Sequence, residues 1–132
     1  MSKGIDWLKG TTKHILVVDD EPAWIGAVSM VLQSKGYDVK AYSSGTDALN
    51  ALAQFKPDLI LSDIRMPDMN GFDFLDSLKK LPAVAGTPVV FLSAVDDFHA
   101  RKVARELGAV DYILKPIDEK DMISALEKYL PR

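Results

Sequence analysis

Cysteine is absent from this chain of 132 residues, so neither disulfide bonds nor thiol chemistry contributes to its fold or function. No apolar run approaches the roughly 18 residues that a membrane-spanning helix needs, and the first residues do not resemble a signal peptide. A large charge of one sign is also missing, since a net charge of −3 provides no broad positive field for nucleic acid. These absences predict a cytoplasmic protein that contacts neither nucleic acid nor a membrane directly.

The composition is that of one globular domain. Hydrophobic residues make up 48% of the chain and charged residues of both signs 27%, which excludes a disordered polymer. We expect residues 14–132 to form the domain, because a chain of this length can bury an ordinary core. Residues 1–13 contain two glycines and few apolar side chains, which favours a flexible extension. The alternative is a short segment that docks Trp7 on a surface.

Short apolar runs alternate along the chain with segments of helical period. The runs predict strands at residues 14–19, 38–42, 58–63, 88–92 and 111–114. The segments between and after them predict helices at residues 22–36, 48–57, 71–80, 97–107 and 118–130. This alternation predicts an α/β domain with a parallel sheet and helices on both faces. The first, third and fourth runs are almost continuously apolar, as central strands buried on both sides should be.

Reactive side chains stand at the ends of four of these runs. An acidic group, Asp19-Asp20-Glu21, follows the first run, and Asp63 ends the third. Ser93 follows the fourth run and Lys115 follows the fifth. Ligand sites of parallel sheets lie beyond the carboxyl ends of the strands. The pattern therefore predicts one site that combines acids, a hydroxyl and an amine.

Three carboxylates at this edge, those of Asp19, Asp20 and Asp63, would repel one another without a cation. All three offer oxygen ligands, and no histidine or cysteine accompanies them, so Mg²⁺ is the favoured ion. A carboxylate whose charge is balanced in this way can attack a phosphoryl group. Lys115 and Ser93 would bind the phosphoryl oxygens by charge and hydrogen bonding. Phosphoryl transfer needs little beyond such alignment and charge stabilisation.

Four motifs in order carry a family resemblance over about residues 14–130. They are Val17-Val18-Asp19-Asp20-Glu21-Pro22, the segment 62–71 (Ser-Asp-Ile-Arg-Met-Pro-Asp-Met-Asn-Gly), Phe91-Leu92-Ser93-Ala94 and the segment 111–116 (Asp-Tyr-Ile-Leu-Lys-Pro). The chain resembles a response-regulator receiver domain of two-component signalling, in the CheY-like superfamily. The resemblance implies a doubly wound (βα)5 flavodoxin-like fold with strand order 2-1-3-4-5.

The resemblance also assigns roles around the phosphoryl group. Asp63 would accept it from a histidine kinase or a histidine phosphotransfer protein. Asp20 would bind Mg²⁺ directly with help from Asp19, and Arg65 would contribute its backbone carbonyl. The protein would then not be an enzyme beyond transferring the phosphoryl group to itself and losing it slowly.

Other residues would bind the phosphoryl group and transmit its presence. Ser93 and Lys115 would hold the phosphoryl oxygens, and Tyr112 would be the aromatic switch that turns inward when Ser93 moves. The bond from Lys115 to Pro116 would be cis. The fourth helix, fifth strand and fifth helix would form the surface for an unknown downstream protein or for a homodimer. Because the chain ends after its last helix, we expect signalling through a partner, onward relay of the phosphoryl group, or a fragment of a longer regulator.

Two positions depart from the best-known stand-alone chemotaxis receivers. Arg65 replaces an amide two residues after the acceptor, and Val95 replaces an acid two residues after Ser93. Both positions flank the route of an attacking water in such receivers. We hypothesise that these replacements lengthen the lifetime of the phosphoaspartate.

Competing functions meet specific obstacles in the sequence. A haloacid-dehalogenase-type hydrolase needs a second acid two residues after its nucleophile, where this chain has Arg65. A flavodoxin-like cofactor binder needs exposed amides at the first turn, where Asp19-Asp20-Glu21 would repel a phosphate. A receiver fold that serves only as a scaffold remains open, although the complete set of site residues argues against it.

Simpler structural roles also remain open for individual residues. The acids at 19–21 would favour the start of the first helix, and Ser93 and Lys115 would be ordinary loop and strand-end groups. Tyr112 would be half-buried packing. Trp24 lies off the main apolar stripe of its helix and is predicted to be a partly exposed surface residue. His14 and His99 are most simply surface residues, because neither has a metal-ligand companion.

Overall fold

The computed structural model describes residues 12–94 and 97–130, and within them five strands alternate with five helices. The strands are β1 (His14–Val18), β2 (Asp38–Tyr42), β3 (Leu59–Ser62), β4 (Val89–Ser93) and β5 (Asp111–Leu114). The helices are α1 (Pro22–Ser34), α2 (Gly45–Ala51), α3 (Gly71–Lys79), α4 (Phe98–Leu107) and α5 (Glu119–Tyr129). The expectation about residues 1–13 falls mostly outside the described residues.

The five strands form one parallel sheet in the order β2-β1-β3-β4-β5, which confirms the predicted fold. Strands β3 and β4 are buried along their whole length, and β1 is buried from its second residue onward. Central strands need apolar side chains on both faces because helices cover both sides. β1 therefore lies between β2 and β3, which brings the ends of the first and third strands together.

Two hydrophobic clusters fill the space between the sheet and its helices. One combines residues of α2, α3 and α4 with strand residues, and it includes the fully buried Phe74 of α3 and Phe91 of β4. The other contains residues of α1 and α5, including Val28, Leu32 and Leu126. The two layers hold the sheet from opposite faces, so the ends of the strands are fixed relative to one another.

Helix boundaries differ from the predictions in places. The second helix ends at Ala51 instead of continuing toward Pro57, and the chain turns through residues 52–54. The N–H groups of Leu52, Ala53 and Gln54 each donate to the carbonyl three residues earlier, so the chain tightens into turns after Ala51. The sequence pattern of residues 71–80 also predicts an inward-facing Phe72, which is wrong in part, because Phe74 is the fully buried phenylalanine of α3. Phe72 is half-buried and meets the ring of Phe91 edge-on at 5.5 Å.

Side-chain caps fix where the helices begin after the loops at the site's edge of the sheet. Asn70 accepts a hydrogen bond from the Asp73 N–H at 2.9 Å at the start of α3. Asp118, a residue type that favours the N-cap position, accepts one from the Asp121 N–H at 2.7 Å at the start of α5. Such caps stabilise a helix by about 1 kcal/mol each. They also fix the length of the loops that carry the site residues.

Candidate functional site

Backbone hydrogen bonds place two aspartates side by side at the carboxyl edge of the sheet. Asp19 directly follows β1, and Asp63 directly follows β3. The Asp63 N–H donates to the Val18 carbonyl at 2.9 Å, and the Asp19 N–H donates to the Tyr42 carbonyl at 3.1 Å. Each aspartate thus extends the sheet pairing by one position. Their side chains start from adjacent strands.

Three carboxylates converge at this edge, as the sequence predicted. Oxygens of Asp19, Asp20 and Asp63 lie within 4.8 Å of one another. Asp19 is fully buried and Asp63 is 8% exposed, whereas Asp20 is exposed. One oxygen of each buried aspartate already accepts a backbone hydrogen bond, to Asp19 from the Glu21 N–H at 2.9 Å and to Asp63 from the Ile64 N–H at 2.7 Å. An oxygen-only donor set with this charge suits a hard divalent cation.

Lys115 supplies the positive charge of the cluster. Its Nζ lies 2.5 Å from Asp19 Oδ2, 3.2 Å from Glu21 Oε1 and 3.6 Å from Asp63 Oδ2. The side chain is only 9% exposed, so these contacts are shielded from water. The backbone N–H of Lys115 donates to the Ser93 carbonyl at 2.8 Å, and its peptide bond to Pro116 is cis. The ends of β4 and β5 are therefore coupled to those of β1 and β3.

Burial and crowding change the proton affinity of both reactive groups. Burial raises the pKa of Asp63, and the negative charge of Asp19 adds to this, while Lys115 and the N–H groups of Ile64 and Arg65 partly offset it. Burial lowers the pKa of Lys115, but the hydrogen bond to Asp19 and the charge of Asp63 outweigh burial, so the net pKa is raised. Lys115 therefore remains a cation at neutral pH. The raised pKa of Asp63 means that its surroundings disfavour its negative charge relative to water.

Trp24 makes a contact that the sequence analysis did not anticipate. Its half-buried indole ring belongs to the first turn of α1, and Lys115 Nζ lies 4.3 Å from the ring centroid. A cation at this distance from an aromatic face is attracted by the ring quadrupole. The position of Trp24 in the sequence could have indicated this contact, because a tryptophan five residues after Asp19 lies near the same edge of the sheet. The partial exposure predicted for Trp24 is confirmed.

Gly71 is a second residue whose role sequence reasoning missed. A Cβ at this position would lie 2.3 Å from the Asp63 carbonyl oxygen and 2.9 Å from Ile64 Cα. The Gly71 N–H donates to the Ile64 carbonyl at 2.7 Å. Only glycine permits this close approach of two backbone segments. The first residue of α3 therefore presses against the backbone that carries Asp63.

Ser93 and Tyr112, the predicted switch residues, are both buried. Ser93 is 1% exposed. It is the last residue of β4, whereas the sequence predicted that the strand would end at residue 92, just before it. Tyr112 in β5 is 9% exposed, and the Arg101 guanidinium lies 4.8 Å from its ring centroid. The ring therefore lies inside the domain in this structure. Val95 falls outside the described residues, so the hypothesis about it stays a prediction, as do the switching roles.

Comparisons with known proteins agree with this arrangement. A family model described as the response regulator receiver domain matches residues 15–127. The DNA-binding response regulator MtrA of Mycolicibacterium smegmatis is 36% identical over 120 residues, which are 91% of this chain and 51% of that protein. A probable cyclic di-GMP phosphodiesterase of Vibrio cholerae is 42% identical over 103 residues, 78% of this chain and 23% of that protein. The chain therefore spans about half the length, or less, of these curated relatives.

Solved structures share the fold as well. The chemotaxis response regulator CheY4 of Vibrio cholerae superimposes with a TM-score of 0.85 at 28% identity, over 90% of this chain and 99% of that one. None of the helices in the described residues is both long and apolar enough to cross a membrane. The acid cluster, the shielded lysine and the 2-1-3-4-5 sheet occur here within the residues that the family model matches. The chain belongs to the response regulator receiver domain family of two-component systems.

Proposed function

We propose that Asp63 accepts a phosphoryl group from the phosphohistidine of a histidine kinase or of a histidine phosphotransfer protein. One observation carries this assignment: the Asp63 carboxylate stands at the carboxyl edge of the sheet between two other acids and a shielded lysine. Asp19 is the other buried acid, but its Oδ2 forms the short contact to Lys115, and its Oδ1 accepts the Glu21 N–H. Asp63 is therefore the buried acid with more freedom to act as a nucleophile.

The reaction that this geometry supports is a displacement at phosphorus. A carboxylate oxygen of Asp63 bonds to phosphorus, the phosphorus–nitrogen bond of the phosphohistidine breaks, and its electron pair stays on the imidazole. The Ile64 N–H holds Oδ1 at 2.7 Å, and Oδ2 faces Lys115. Lys115 then stabilises the negative oxygens of the acyl phosphate by its charge.

The donor set also supports a bound Mg²⁺. The carboxylates of Asp19, Asp20 and Asp63 would hold it, with the backbone carbonyl of Arg65 as a further oxygen ligand. When bound, this ion neutralises the charge that builds up between the carboxylates and the incoming phosphoryl group. Asp20 is the exposed member of the cluster, so one of its oxygens faces solvent from which an ion enters.

We further propose that Ser93 and Tyr112 transmit phosphorylation to the surface formed by α4, β5 and α5. Both are buried between the site and that surface, and Arg101 of α4 contacts the Tyr112 ring and donates to its carbonyl at 3.4 Å. The surface would bind an unknown downstream protein or a second copy of the chain. We assign the domain to residues 14–132, with residues 1–13 as an extension, and expect it to contact no nucleic acid and no membrane directly.

This proposal implies no catalysis beyond self-phosphorylation and slow loss of the phosphoryl group. It also implies a location in the cytoplasm, where the proposed phosphoryl donors and their ATP are found. MtrA is named as DNA-binding, but this chain spans only 51% of that protein. DNA binding is therefore stated of MtrA alone and is not assigned to this domain.

The decisive test is intact mass after incubation with acetyl phosphate and Mg²⁺. We expect one phosphoryl adduct on the parent protein and none on Asp63→Asn, because the amide is not a nucleophile for phosphorus. Asp76→Asn is the matched control, since its side chain is 59% exposed on α3 and pairs only with Lys80 at 3.5 Å among the interactions described for it. An adduct on Asp63→Asn would contradict the assignment. A parent that gains no adduct and does not bind beryllofluoride would instead indicate a scaffold.

A further inference from the structure

The ammonium of Lys115 is held between two different surfaces. Carboxylates of Asp19, Glu21 and Asp63 lie on one side, at 2.5, 3.2 and 3.6 Å. The indole face of Trp24 lies 4.3 Å away at the ring centroid. Because the Lys115 side chain is only 9% exposed, the ring takes the place that water would otherwise occupy.

In the unphosphorylated protein, the ammonium lies at a position different from the one it would need to contact a phosphoryl group on Asp63. Nζ is closest to Asp19 and farthest from Asp63 among the three carboxylates. A phosphoryl group on Asp63 would bring new negative oxygens to the Asp63 side, so Nζ would have to move away from Asp19 and Glu21. The hydrogen bonds to those acids are directional and weaken as it moves.

The ring attraction behaves differently from these hydrogen bonds. A cation is attracted anywhere over an aromatic face within about 6 Å of the centroid, and the attraction grows when water is excluded. Trp24 is fixed on α1, where it packs against the hydrophobic cluster that contains Val28 and Met122. The ring thus offers a surface on which the ammonium can shift without losing stabilisation.

We propose that Trp24 is a positioning residue for phosphorylation, which guides the Lys115 ammonium from its contacts with Asp19 and Glu21 to the phosphoryl group on Asp63. This inference rests on the proposed function of Asp63. It assigns to Trp24 no contact with the phosphoryl group itself, so its whole effect passes through Lys115.

The first test is nuclear magnetic resonance of the metal-free protein, which involves no phosphorylation. The ring current of Trp24 should shift the ε-methylene protons of Lys115 upfield in the parent. The shift should be absent in Trp24→Leu and reduced but present in Trp24→Phe. Unshifted protons in the parent would overturn the contact and the proposal with it.

The second test is the rate of labelling by acetyl phosphate in Mg²⁺. Trp24→Leu should be labelled about fivefold more slowly than the parent, and Trp24→Phe should recover much of the rate. In a Lys115→Gln background the same Trp24→Leu change should have no further effect, because the residue acts only through the lysine. Circular dichroism checks that each variant is folded.

The outcomes separate this inference from the function on which it rests. A parent that is labelled while Trp24→Leu reacts equally fast overturns the role of Trp24 and leaves the role of Asp63 intact. A loss of rate that persists in the Lys115→Gln background also overturns it, because it would show a general effect on the fold. A parent that is never labelled overturns both.

Discussion

The charged side chains are solvent-exposed and paired at the amino end of the sheet, but mostly buried and crowded at its carboxyl end. At the amino end, His14 Nδ1 lies 2.8 Å from Asp38 Oδ2, and both side chains are more than 40% exposed, at 43% and 45%. The His14 N–H donates to Asp58 Oδ2 at 2.8 Å. At the carboxyl end, Asp19 is fully buried, and Lys115 is one cation facing several acids.

This difference shows which end of the sheet is stabilised by its charges and which end is destabilised by them. Exposed pairs such as His14 with Asp38 are solvated and contribute about 1 kcal/mol or less. At the other end, burial and the charge of Asp19 raise the pKa of Asp63, so the ionised form of Asp63 opposes folding. The electrostatically unfavourable end is the one at which we propose phosphorylation. Crowded acids there would favour binding of a cation, because its positive charge would relieve their mutual repulsion.

The largest effect that we expect at the carboxyl end comes from Gly71→Ala. The added Cβ would stand 2.3 Å from the Asp63 carbonyl oxygen and 2.9 Å from Ile64 Cα, so backbone must move. We expect a loss of about 3 kcal/mol in the free energy of unfolding by urea, together with slower labelling of Asp63.

Gly26→Ala is the matched control for this change. A Cβ at Gly26 meets nothing within 4 Å, and the residue lies inside α1. Alanine should therefore stabilise the protein by about 0.5–1 kcal/mol through helix propensity. Equal effects of the two substitutions would contradict the close approach at Gly71.

Asp63→Asn should raise the stability of the metal-free protein, by less than Gly71→Ala lowers it. Burial and Asp19 raise the pKa of the Asp63 carboxyl, so the folded state holds this proton more tightly than the unfolded state does. The stability contributed by the protonated form is present at low pH and is lost as pH rises through the folded pKa. The asparagine variant should therefore melt above the parent at neutral pH. The difference should shrink as pH falls toward about 4, the ordinary pKa of an aspartate.

Thermal unfolding in the presence of a chelator measures this difference across pH. Asp76→Asn again serves as the control. This substitution also removes one negative charge, but from an exposed carboxylate that is not destabilised by burial. A parent that is more stable than Asp63→Asn at neutral pH would show that Lys115 compensates Asp63 fully. The contrast between the two ends of the sheet would then be wrong.

The smallest effect belongs to the amino end. Asp38→Asn removes the partner of His14 at 2.8 Å from a half-exposed pair, so it should cost less than about 1 kcal/mol and less still at high salt. Urea unfolding at two salt concentrations measures this cost. Labelling of Asp63 should be unchanged, because the substitution lies at the far edge of the sheet. A cost above about 2 kcal/mol would indicate that this pair is structurally important.

The sequence predicted most of the fold because the central strands β1, β3 and β4 are marked by apolar runs, whereas the edge strand β2 (Asp38–Tyr42) alternates apolar and charged residues. Ends were harder to predict than centres: Ser93 belongs to β4, and the second helix stops at Ala51. Phe72 and Phe74 illustrate the remaining ambiguity, since both are apolar and a helix of this length allows either to face the core. Burial depends on the partner surface, and here Phe74 is the one that is fully buried.

The site was predicted as far as strand ends determine it. Asp19 and Asp63 converge because the adjacent parallel strands β1 and β3 end at one edge, and Lys115 reaches them from the end of β5, beyond β4. The contact of Trp24 with Lys115 depends on the reach of two side chains from different elements, which residue spacing does not encode. The role of Gly71 depends on a backbone approach of a few ångströms. Both details arise from tertiary packing.

The ion pair of Asp19 and Lys115 joins residues that are 96 positions apart in the chain. Closing a loop of this length is entropically unfavourable until the intervening strands have paired, and sheets rich in such distant contacts fold slowly. A growing chain therefore carries its acids long before it carries their cation. A chain that ends before Lys115 would still contain Asp63 but would lack the ammonium of the site. We therefore expect the cation to reach these acids only once β5 has paired with β4, so that the charge balance of the site depends on completion of the sheet.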